Sequence, residues 1–190
     1  YGSTYSIDDF VLRADAEHFY DDEHTVRGGA ELTHHRMSGT LSEFSLQTSP
    51  LSLDGLSAWE LAVYFQDQWR LLPGVTAEIG ARATNFTGSD GSFSGIEPRF
   101  SLRISLGERA LLWAGLTSIN EYIHPYRNSG VPLFYPATVW YPSTNQARPT
   151  NSLQGSLGAE TGFGDAAYVA SAAAYIRITR DLHEFPFTQT

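Results

Sequence analysis

A hairpin over residues 59–83 constrains the fold of this chain more than any other stretch. Its first run puts Trp59, Leu61, Val63 and Phe65 on one face, opposite polar and small side chains. The second run, from residue 75, alternates in the same way, and this period of two predicts strands with unlike faces. Pro73-Gly74 between the runs has the chemistry of a tight turn. Each run has about ten residues, the length of a tilted strand that crosses a bilayer, whereas soluble strands more often have about five or six.

The same alternation recurs along the chain and predicts about eight antiparallel strands. The connections between them alternate, with short turns near residues 22, 73, 108 and 164 and long segments at 36–57, 85–95, 119–151 and the C-terminus. Antiparallel strands then place every short turn at one end of the sheet, as in outer-membrane β-barrels, whereas a Greek-key sandwich mixes its connections. The predicted strands cover residues 10–20, 24–35, 59–66, 75–83, 96–106, 110–118, 152–161 and 167–179.

The composition excludes several classes of protein. A net charge of -9 without a basic cluster disfavours nucleic-acid binding, which needs grouped Lys and Arg. The chain has no Cys, so it has neither a disulfide framework nor a thiolate metal site. A hydrophobic content of 42% is too high for disorder, and no apolar run approaches the roughly 18 residues of a membrane helix.

The two faces of the predicted strands differ in charge. The apolar face carries no charge away from the strand ends, as a surface in contact with lipid requires, since a charge at mid-bilayer costs about 2–4 kcal/mol. The polar face carries six basic and six acidic residues that can pair across strands in a water-filled lumen. These lumen-facing residues are Arg13, Arg27, Arg82, Arg99, Arg103, Arg177, Asp15, Glu17, Glu31, Glu60, Glu78 and Glu160.

No motif for catalysis, a metal or a cofactor emerges from the sequence. The adjacent His34 and His35 point to opposite faces of a strand, so we expect a strand end at the membrane interface rather than a metal site. The acidic run 21–23 lacks the spacing of a calcium-binding EF-hand and reads as a solvated turn. No Gly-x-Ser-x-Gly elbow or phosphate-binding glycine loop occurs. We therefore expect no enzyme, no cofactor and no bound metal.

The segment 119–151 is the strongest candidate for binding, because long loops on rigid scaffolds often capture ligands. A second interpretation stays open, namely a packed external loop with aromatic residues at the membrane interface. The candidate ligand-binding residues are Tyr122, His124, Tyr126, Arg127, Tyr135, Trp140, Tyr141 and Arg148.

Several short motifs resemble the barrel of TonB-dependent outer-membrane receptors. Residues 64–69 read Tyr-Phe-Gln-Asp-Gln-Trp and are followed by a Pro turn and a strand ending in Gly-Ala-Arg. The loop Trp140-Tyr141-Pro142-Ser143 leads through 148–154 into the Leu-Gly-Ala-Glu of residues 157–160. Residues 97–101, Glu-Pro-Arg-Phe-Ser, are similar to a strand opening in these receptors. The resemblance extends over roughly residues 10–185.

The resemblance implies an all-β fold, an antiparallel up-and-down transmembrane β-barrel segment of about eight strands within a larger barrel of about 22 strands. It implies that residues 1–190 are part of one barrel domain in the outer membrane of a Gram-negative bacterium. The implied function is TonB-dependent uptake of a scarce nutrient, namely an iron–siderophore, a corrinoid or an oligosaccharide. Its partners would be outer-membrane lipid, a small-molecule or metal-chelate substrate, and the TonB complex.

The family also has an N-terminal plug domain and a TonB-contacting segment, and no residues of this sequence match either. The residues that couple transport to energy therefore cannot be assigned here. Two alternatives remain: a complete eight-stranded outer-membrane barrel for binding or adhesion, and a soluble β-sandwich binding module. The first predicts pairing between the first and last strands, and the second predicts two sheets whose apolar faces pack together.

Overall fold

The computed structural model describes residues 4–41, 51–52, 55–127, 138–164 and 168–182. Within these ranges the chain forms eleven β-strands, and it has no helix long and apolar enough to cross a membrane. The strands are β1 (Thr4–Phe19), β2 (His24–Leu41), β3 (Leu51–Ser52), β4 (Leu56–Leu72), β5 (Val75–Gly88), β6 (Gly91–Leu106), β7 (Ala110–Glu121), β8 (Ile123–Arg127), β9 (Thr138–Pro142), β10 (Thr150–Phe163) and β11 (Tyr168–Arg180).

Eight of these strands form one antiparallel sheet in the order β1-β2-β4-β5-β6-β7-β10-β11. Each strand pairs with the next one along the chain once the short strands β3, β8 and β9 are set aside, so the sheet is an up-and-down meander, and the predicted all-β fold is confirmed. The short strand β3 pairs with the end of β2. Strands β8 and β9 form a separate two-stranded hairpin in the connection between β7 and β10.

The sheet is open over the part of the chain that the structure describes. There, β1 pairs only with β2 and β11 only with β10, and no ladder joins β1 to β11. This arrangement lacks the closing pair that a complete eight-stranded barrel requires. It also lacks the second packed sheet of a β-sandwich, because the large side chains on the apolar face are uncovered.

The hairpin of β4 and β5 has the two faces that the sequence predicts. Trp59, Leu61, Val63 and Phe65 are between 47% and 59% exposed, while Ala62 on the opposite face is 1% exposed. Pro73 and Gly74 form the turn, and the Gly74 φ of 82° lies in the left-handed region that a residue with a side chain rarely adopts. The short turns at 20–23 and 107–109 also lie where the sequence places them.

Two histidine–tryptophan stacks mark the ends of the apolar face on β2 and β4. His24 stacks on Trp69 with ring centroids 5.2 Å apart, and His34 stacks on Trp59 at 4.3 Å. Ten residues of antiparallel strand separate the two histidines, which corresponds to about 34 Å along the strand. At a strand tilt of roughly 30° this is a height of about 29 Å, a few ångströms more than the roughly 25 Å apolar band of outer-membrane barrels.

The boundary between apolar and polar residues on this face shifts across the sheet. Phe10, His34 and Trp59 lie in one row across β1, β2 and β4. On the later strands the boundary lies closer to the end of the sheet that carries the short turns, by about six residues at β11. With about 3.3 Å per residue and about 4.8 Å between strands, this stagger corresponds to a strand tilt of roughly 30°. The last apolar or aromatic residues before the boundary are Phe10, His34, Trp59, Ala83, Ile96, Leu116, Leu153 and Ile178.

The prediction of a long loop at 85–95 is wrong. Strand β5 continues to Gly88 and β6 begins at Gly91, so only Ser89 and Asp90 connect them. The segment is rich in Ser, Thr and Asn, but these side chains bond each other across the ladder. Asn85 Nδ2 donates to Ser94 Oγ at 2.9 Å, and the hydroxyls of Thr87 and Ser92 are 3.1 Å apart. These pairs occupy one face, while the other face of the hairpin is buried.

Pro98 lies well inside β6, although the sequence suggested a position near a strand start. It is the register partner of Ala81 on β5, whereas the ladder between β6 and β7 ends at Arg99. Proline lacks the N–H that a ladder uses, so β7 separates from β6 here. Beyond that point the Glu97 carboxylate accepts a hydrogen bond from the Asn120 backbone N–H at 2.9 Å and replaces the lost ladder contact.

The remaining long segments are shorter than the sequence suggested. The segment predicted at 36–57 is shorter because β2 extends to Leu41 and β4 begins at Leu56. The segment predicted at 119–151 contains the β8–β9 hairpin, and its residues 128–137 lie outside the described part of the chain. Residues 183–190 of the predicted C-terminal loop lie outside it as well.

Candidate functional site

The β8–β9 hairpin lies over the polar face of the large sheet. It leaves the sheet at the end of β7, yet β9 contacts β4, three positions away along the sheet. The Tyr5 hydroxyl on β1 also donates a hydrogen bond to the Trp140 backbone oxygen on β9. The hairpin therefore bridges the polar face from β7 to β1 instead of extending away from the sheet.

The base of the hairpin is fixed by a small aromatic core. Phe86 of β5 is fully buried, and its ring stacks on Tyr122 with centroids 5.0 Å apart and an interplanar angle of 4°. Ala58 completes the buried cluster, with Phe93 at its edge. The hydroxyls of Tyr122 and Thr84 are 2.6 Å apart and share a hydrogen bond. Burial raises the pKa of the Tyr122 phenol above its ordinary value.

The buried Ser143 connects the two ends of the β8–β9 hairpin. The Ser143 backbone N–H and hydroxyl both donate to the Tyr122 backbone oxygen, at 2.7 and 2.9 Å. His124 Nε2 lies 2.8 Å from Ser143 Oγ, and because the hydroxyl proton points at Tyr122, this nitrogen is assigned as the donor. Ser143 is fully buried and His124 is 4% exposed. These contacts give a structural reason for the serine of the Trp-x-Pro-Ser motif at 140–143.

The residues after this motif dock on the tight turn between β5 and β6. The Asn145 backbone N–H donates to the Asp90 backbone oxygen at 3.0 Å. Thr144 and Ala147 bond each other through the Thr144 N–H and the Ala147 oxygen at 2.8 Å, which gives this segment a compact turn. The turn between β5 and β6 and the end of the β8–β9 hairpin thus contact and support each other.

A cluster of charges lies on the polar face around Arg82. Its guanidinium is 2.8 Å from the Glu31 carboxylate on β2 and 3.5 Å from Glu60 on β4. Arg13 of β1 reaches Glu31 from the other side at 3.6 Å. The cluster therefore joins β1, β2, β4 and β5, and its three central side chains are each about one-fifth exposed.

His35 extends this cluster towards β1. Its Nδ1 is 2.8 Å from the Asp9 carboxylate, and its Nε2 is 3.8 Å from Glu60. The His35 side chain is 9% exposed, and its Nε2 has no hydrogen-bond partner within the described ranges. The same ranges contain no group of three or more His, Asp or Glu residues that could hold a metal ion.

The other predicted polar-face residues are placed on the same face. Arg27 and Glu17 form an ion pair at 2.7 Å, and Arg99 lies 3.8 Å from Glu97. Glu78 is the register partner of Ser101, and Arg103 is the register partner of both Thr76 and Trp113. Arg177 donates to the Gln154 side-chain oxygen across β10 and β11.

The structure separates the predicted ligand-binding residues into three groups. Tyr122 and His124 are buried at the hairpin base, where they hold the fold. Trp140 and Tyr141 are half-buried on β9, and Arg148 is exposed. Tyr126 and Arg127 lie on β8, but their side chains, like the whole of Tyr135, are outside the described part of the chain. A ligand-binding role for these eight residues stays a prediction.

Sequence reasoning missed Tyr5, Phe86 and Glu97, which connect the hairpin and the separated strand β7 to the sheet. A signal for Phe86 was present, because Phe86 and Phe93 alternate with the polar side chains of residues 85–94. No local signal marks Tyr5, because its partner lies 135 residues away along the chain.

No protein-family model and no curated protein matches this sequence. Solved structures do match. The siderophore receptor PirA from Pseudomonas aeruginosa aligns over 92% of this chain and 32% of its own, with 18% identity and a TM-score of 0.64. The ferric enterobactin receptor PfeA of the same species aligns over 93% and 27%, with 16% identity and a TM-score of 0.63. The alcaligin outer-membrane receptor FauA from Bordetella pertussis aligns over 99% and 32%, with 14% identity and a TM-score of 0.59.

The chain has the barrel fold of the TonB-dependent outer-membrane receptors. The fold to which the sequence motifs pointed is thereby confirmed, and so is the predicted setting in an outer membrane. In that fold the polar face of such a sheet lines the lumen of the barrel and the apolar face lies against lipid. The chain spans less than a third of the length of PirA, PfeA and FauA.

Proposed function

We propose that this chain forms eight consecutive wall strands of a receptor barrel that takes up an iron–siderophore across the outer membrane. The observation that supports this most is the match of the sheet to siderophore-receptor barrels over more than nine-tenths of the chain. The predicted corrinoid and oligosaccharide substrates have no comparable support among these structures.

The two edges of the sheet also support a larger barrel. Backbone groups in the hydrocarbon region need hydrogen-bond partners within the protein, so β1 and β11 require further strands beside them. The eight strands would then be one arc of a wall that closes elsewhere. A plug domain within that wall would provide the contact with TonB.

The β8–β9 hairpin has a defined role in this proposal. It covers the lumen from above and is fixed at Tyr122 and Tyr5, so a substrate entering from outside meets Trp140 and Tyr141 before it meets the charged wall. We assign no catalytic role to the nearby Ser143–His124 pair. The serine hydroxyl is fully buried and donates to a backbone oxygen, so it is not available as a nucleophile.

The test is to express the complete reading frame that contains this chain in a Gram-negative strain without its own ferric-siderophore receptors. We expect uptake of radioactive iron supplied as a siderophore complex in cells with TonB and none in cells without it. Matched vectors carrying an unrelated outer-membrane barrel provide the control. Uptake that is equal with and without TonB, or absent for catecholate, hydroxamate and carboxylate siderophores alike, would contradict the proposal.

A further inference from the structure

His35 is held between two carboxylates that belong to different strands. Its side chain is 9% exposed, and its Nδ1 lies 2.8 Å from the Asp9 carboxylate of β1. On its other side, Nε2 lies 3.8 Å from the Glu60 carboxylate of β4, and this nitrogen has no hydrogen-bond partner among the described residues. The ring therefore bonds one neighbouring strand and only faces the other.

The protonation of the ring decides whether both carboxylates can be bonded. An ionised carboxylate only accepts hydrogen bonds, so a neutral His35 ring carries its proton on Nδ1, where it donates to Asp9. The bare Nε2 then faces Glu60, and two acceptors cannot bond each other. An imidazolium donates from both nitrogens, and histidine gains this proton between about pH 8 and pH 5. Protonation thus converts an opposed pair of acceptors into a charge-assisted contact.

The other charged groups around the ring are on β5 and on β2 itself. Arg82 of β5 lies 3.5 Å from Glu60 and opposes a second positive charge on His35. Its guanidinium lies closer to Glu31 of β2, at 2.8 Å, and this carboxylate offsets the effect. Asp9 and Glu60 act on the ring directly. The charged groups on the neighbouring strands together therefore favour the protonated ring.

His35 also lies between the two attachments of the β8–β9 hairpin. Its ring centroid is 6.4 Å from that of Phe86, which stacks on Tyr122 at the hairpin base. Its bonded partner Asp9 lies on the same face of β1 as Tyr5, four residues or about 14 Å along the strand. Tyr5 is the residue of β1 that binds β9. A ring bonded on both sides therefore holds the strand of one attachment against the strands of the other.

We propose that His35 is a pH-dependent latch for the β8–β9 hairpin. In acid, the protonated ring bonds both Asp9 and Glu60, and the hairpin is held firmly over the polar face of the sheet. As the pH rises and His35 loses its proton, the contact with Glu60 is lost and the hairpin opens more often. The sign follows from the geometry, because only the protonated ring has a donor for each carboxylate. The latch acts on the hairpin, so it does not depend on which substrate the barrel transports.

Hydrogen exchange of the purified complete receptor tests the latch at about pH 5.5 and about pH 8, on either side of the range in which histidine titrates. Mass spectrometry follows peptides over β8 and β9, and protection factors correct for the pH dependence of the intrinsic exchange rate. His35→Gln removes the ring, and Glu60→Gln supplies an amide that can donate to the neutral ring. The matched controls are His34→Gln, on the opposite face of the same strand, and Glu78→Gln, elsewhere on the polar face. Heat-modifiable gel mobility confirms that every variant is folded.

In the wild-type receptor we expect the protection of β8 and β9 to be about tenfold higher at the lower pH. This is the change that a tenfold difference in proton affinity between the latched and the open hairpin produces. His35→Gln and Glu60→Gln should each reduce the ratio to less than about twofold, because neither variant gains a bond in acid. His34→Gln and Glu78→Gln should keep the wild-type ratio.

A wild-type ratio near one would overturn the inference. So would a ratio that survives in His35→Gln, because the pH dependence would then come from another group, such as His124 at the hairpin base. A ratio lost equally in His34→Gln or Glu78→Gln would show a general effect of packing or charge and would overturn it as well. Transport plays no part in these measurements, so a failure of the proposed uptake function leaves their outcome unchanged.

Discussion

Tyr5 on the first strand donates a hydrogen bond to the Trp140 backbone oxygen, although 135 residues separate them along the chain. This bond fixes the far side of the β8–β9 hairpin to β1, whereas Tyr122 and Ser143 fix its base. The hairpin is held at both sides of the lumen, and each attachment can be tested separately.

Replacing Tyr5 with Phe should loosen the hairpin without unfolding the sheet. The change removes one hydrogen bond, worth about 1 kcal/mol, from a half-buried site. Hydrogen exchange followed by mass spectrometry should show faster exchange in β8 and β9 and unchanged exchange in β4 and β5. Tyr20→Phe, at an exposed position, is the control. Equal exchange in wild type and Tyr5→Phe would show that the bond does not hold the hairpin.

Phe86→Ala should destabilise the folded protein by about 3–5 kcal/mol, because it empties a fully buried site and removes the stacking partner of Tyr122. The midpoint of urea unfolding in detergent measures the loss. Thr87→Ala changes the exposed neighbour on the opposite face and should have little effect. If the two variants unfold at the same urea concentration, the aromatic core does not stabilise this region.

Ser143→Ala should cost about 1–3 kcal/mol, because it leaves His124 Nε2 buried without its hydroxyl acceptor. Unfolding midpoints measure the loss, with the exposed Gln146→Ala as the control. A loss no larger than that of Gln146→Ala would mean that the hairpin base closes through the backbone bond alone.

An arginine placed at position 63 tests the assignment of the faces. Val63 lies about midway between the two histidine–tryptophan stacks on the apolar face, so Val63→Arg should cost about 2–4 kcal/mol in a bilayer. Gln66→Arg introduces the same side chain on the polar face and should be tolerated. Folding yields into lipid vesicles distinguish them. Similar yields for both variants would contradict a lipid-facing surface at Val63.

Arg82 and Glu31 form the closest ion pair of the central cluster, at 2.8 Å. Arg82→Gln should destabilise the protein by about 2–3 kcal/mol, because it leaves the Glu31 and Glu60 carboxylates facing each other without their shared cation. Adding Glu31→Gln should recover part of this loss, and a double-mutant cycle measures the coupling. Additive effects of the two changes would show that the pair is not coupled.

Local periodicity was sufficient to predict the strands, their two faces and most of the tight turns. Trp59, Val63 and Phe65 alternate with small and polar residues, and this pattern alone assigns them to one face. The loop prediction at 85–95 was wrong because the turn formers Gly88-Ser89-Asp90-Gly91 mark only a tight turn, whereas the Ser, Thr and Asn residues beside them bond one another across a ladder.

The candidate site depended on contacts that no local pattern reveals. Ladder register decides that Arg82 meets Glu31 and Glu60, and register depends on all the preceding hairpins. The position of the β8–β9 hairpin depends on the Tyr5–Trp140 bond and on the Phe86–Tyr122 stack. The sequence could therefore identify the hairpin residues as functional candidates but could not indicate that the hairpin folds back over the lumen.

The two histidine–tryptophan stacks also have a consequence for the membrane itself. They lie on the same pair of strands, so their separation is set by the covalent length of β2 and cannot adjust to a different lipid. A bilayer whose hydrocarbon layer is thicker than the height between the two stacks would bury both aromatic pairs, and a thinner one would leave apolar side chains in water. The barrel is thus matched to one hydrophobic thickness, and in membranes of other thickness the lipid around β2 and β4 has to deform.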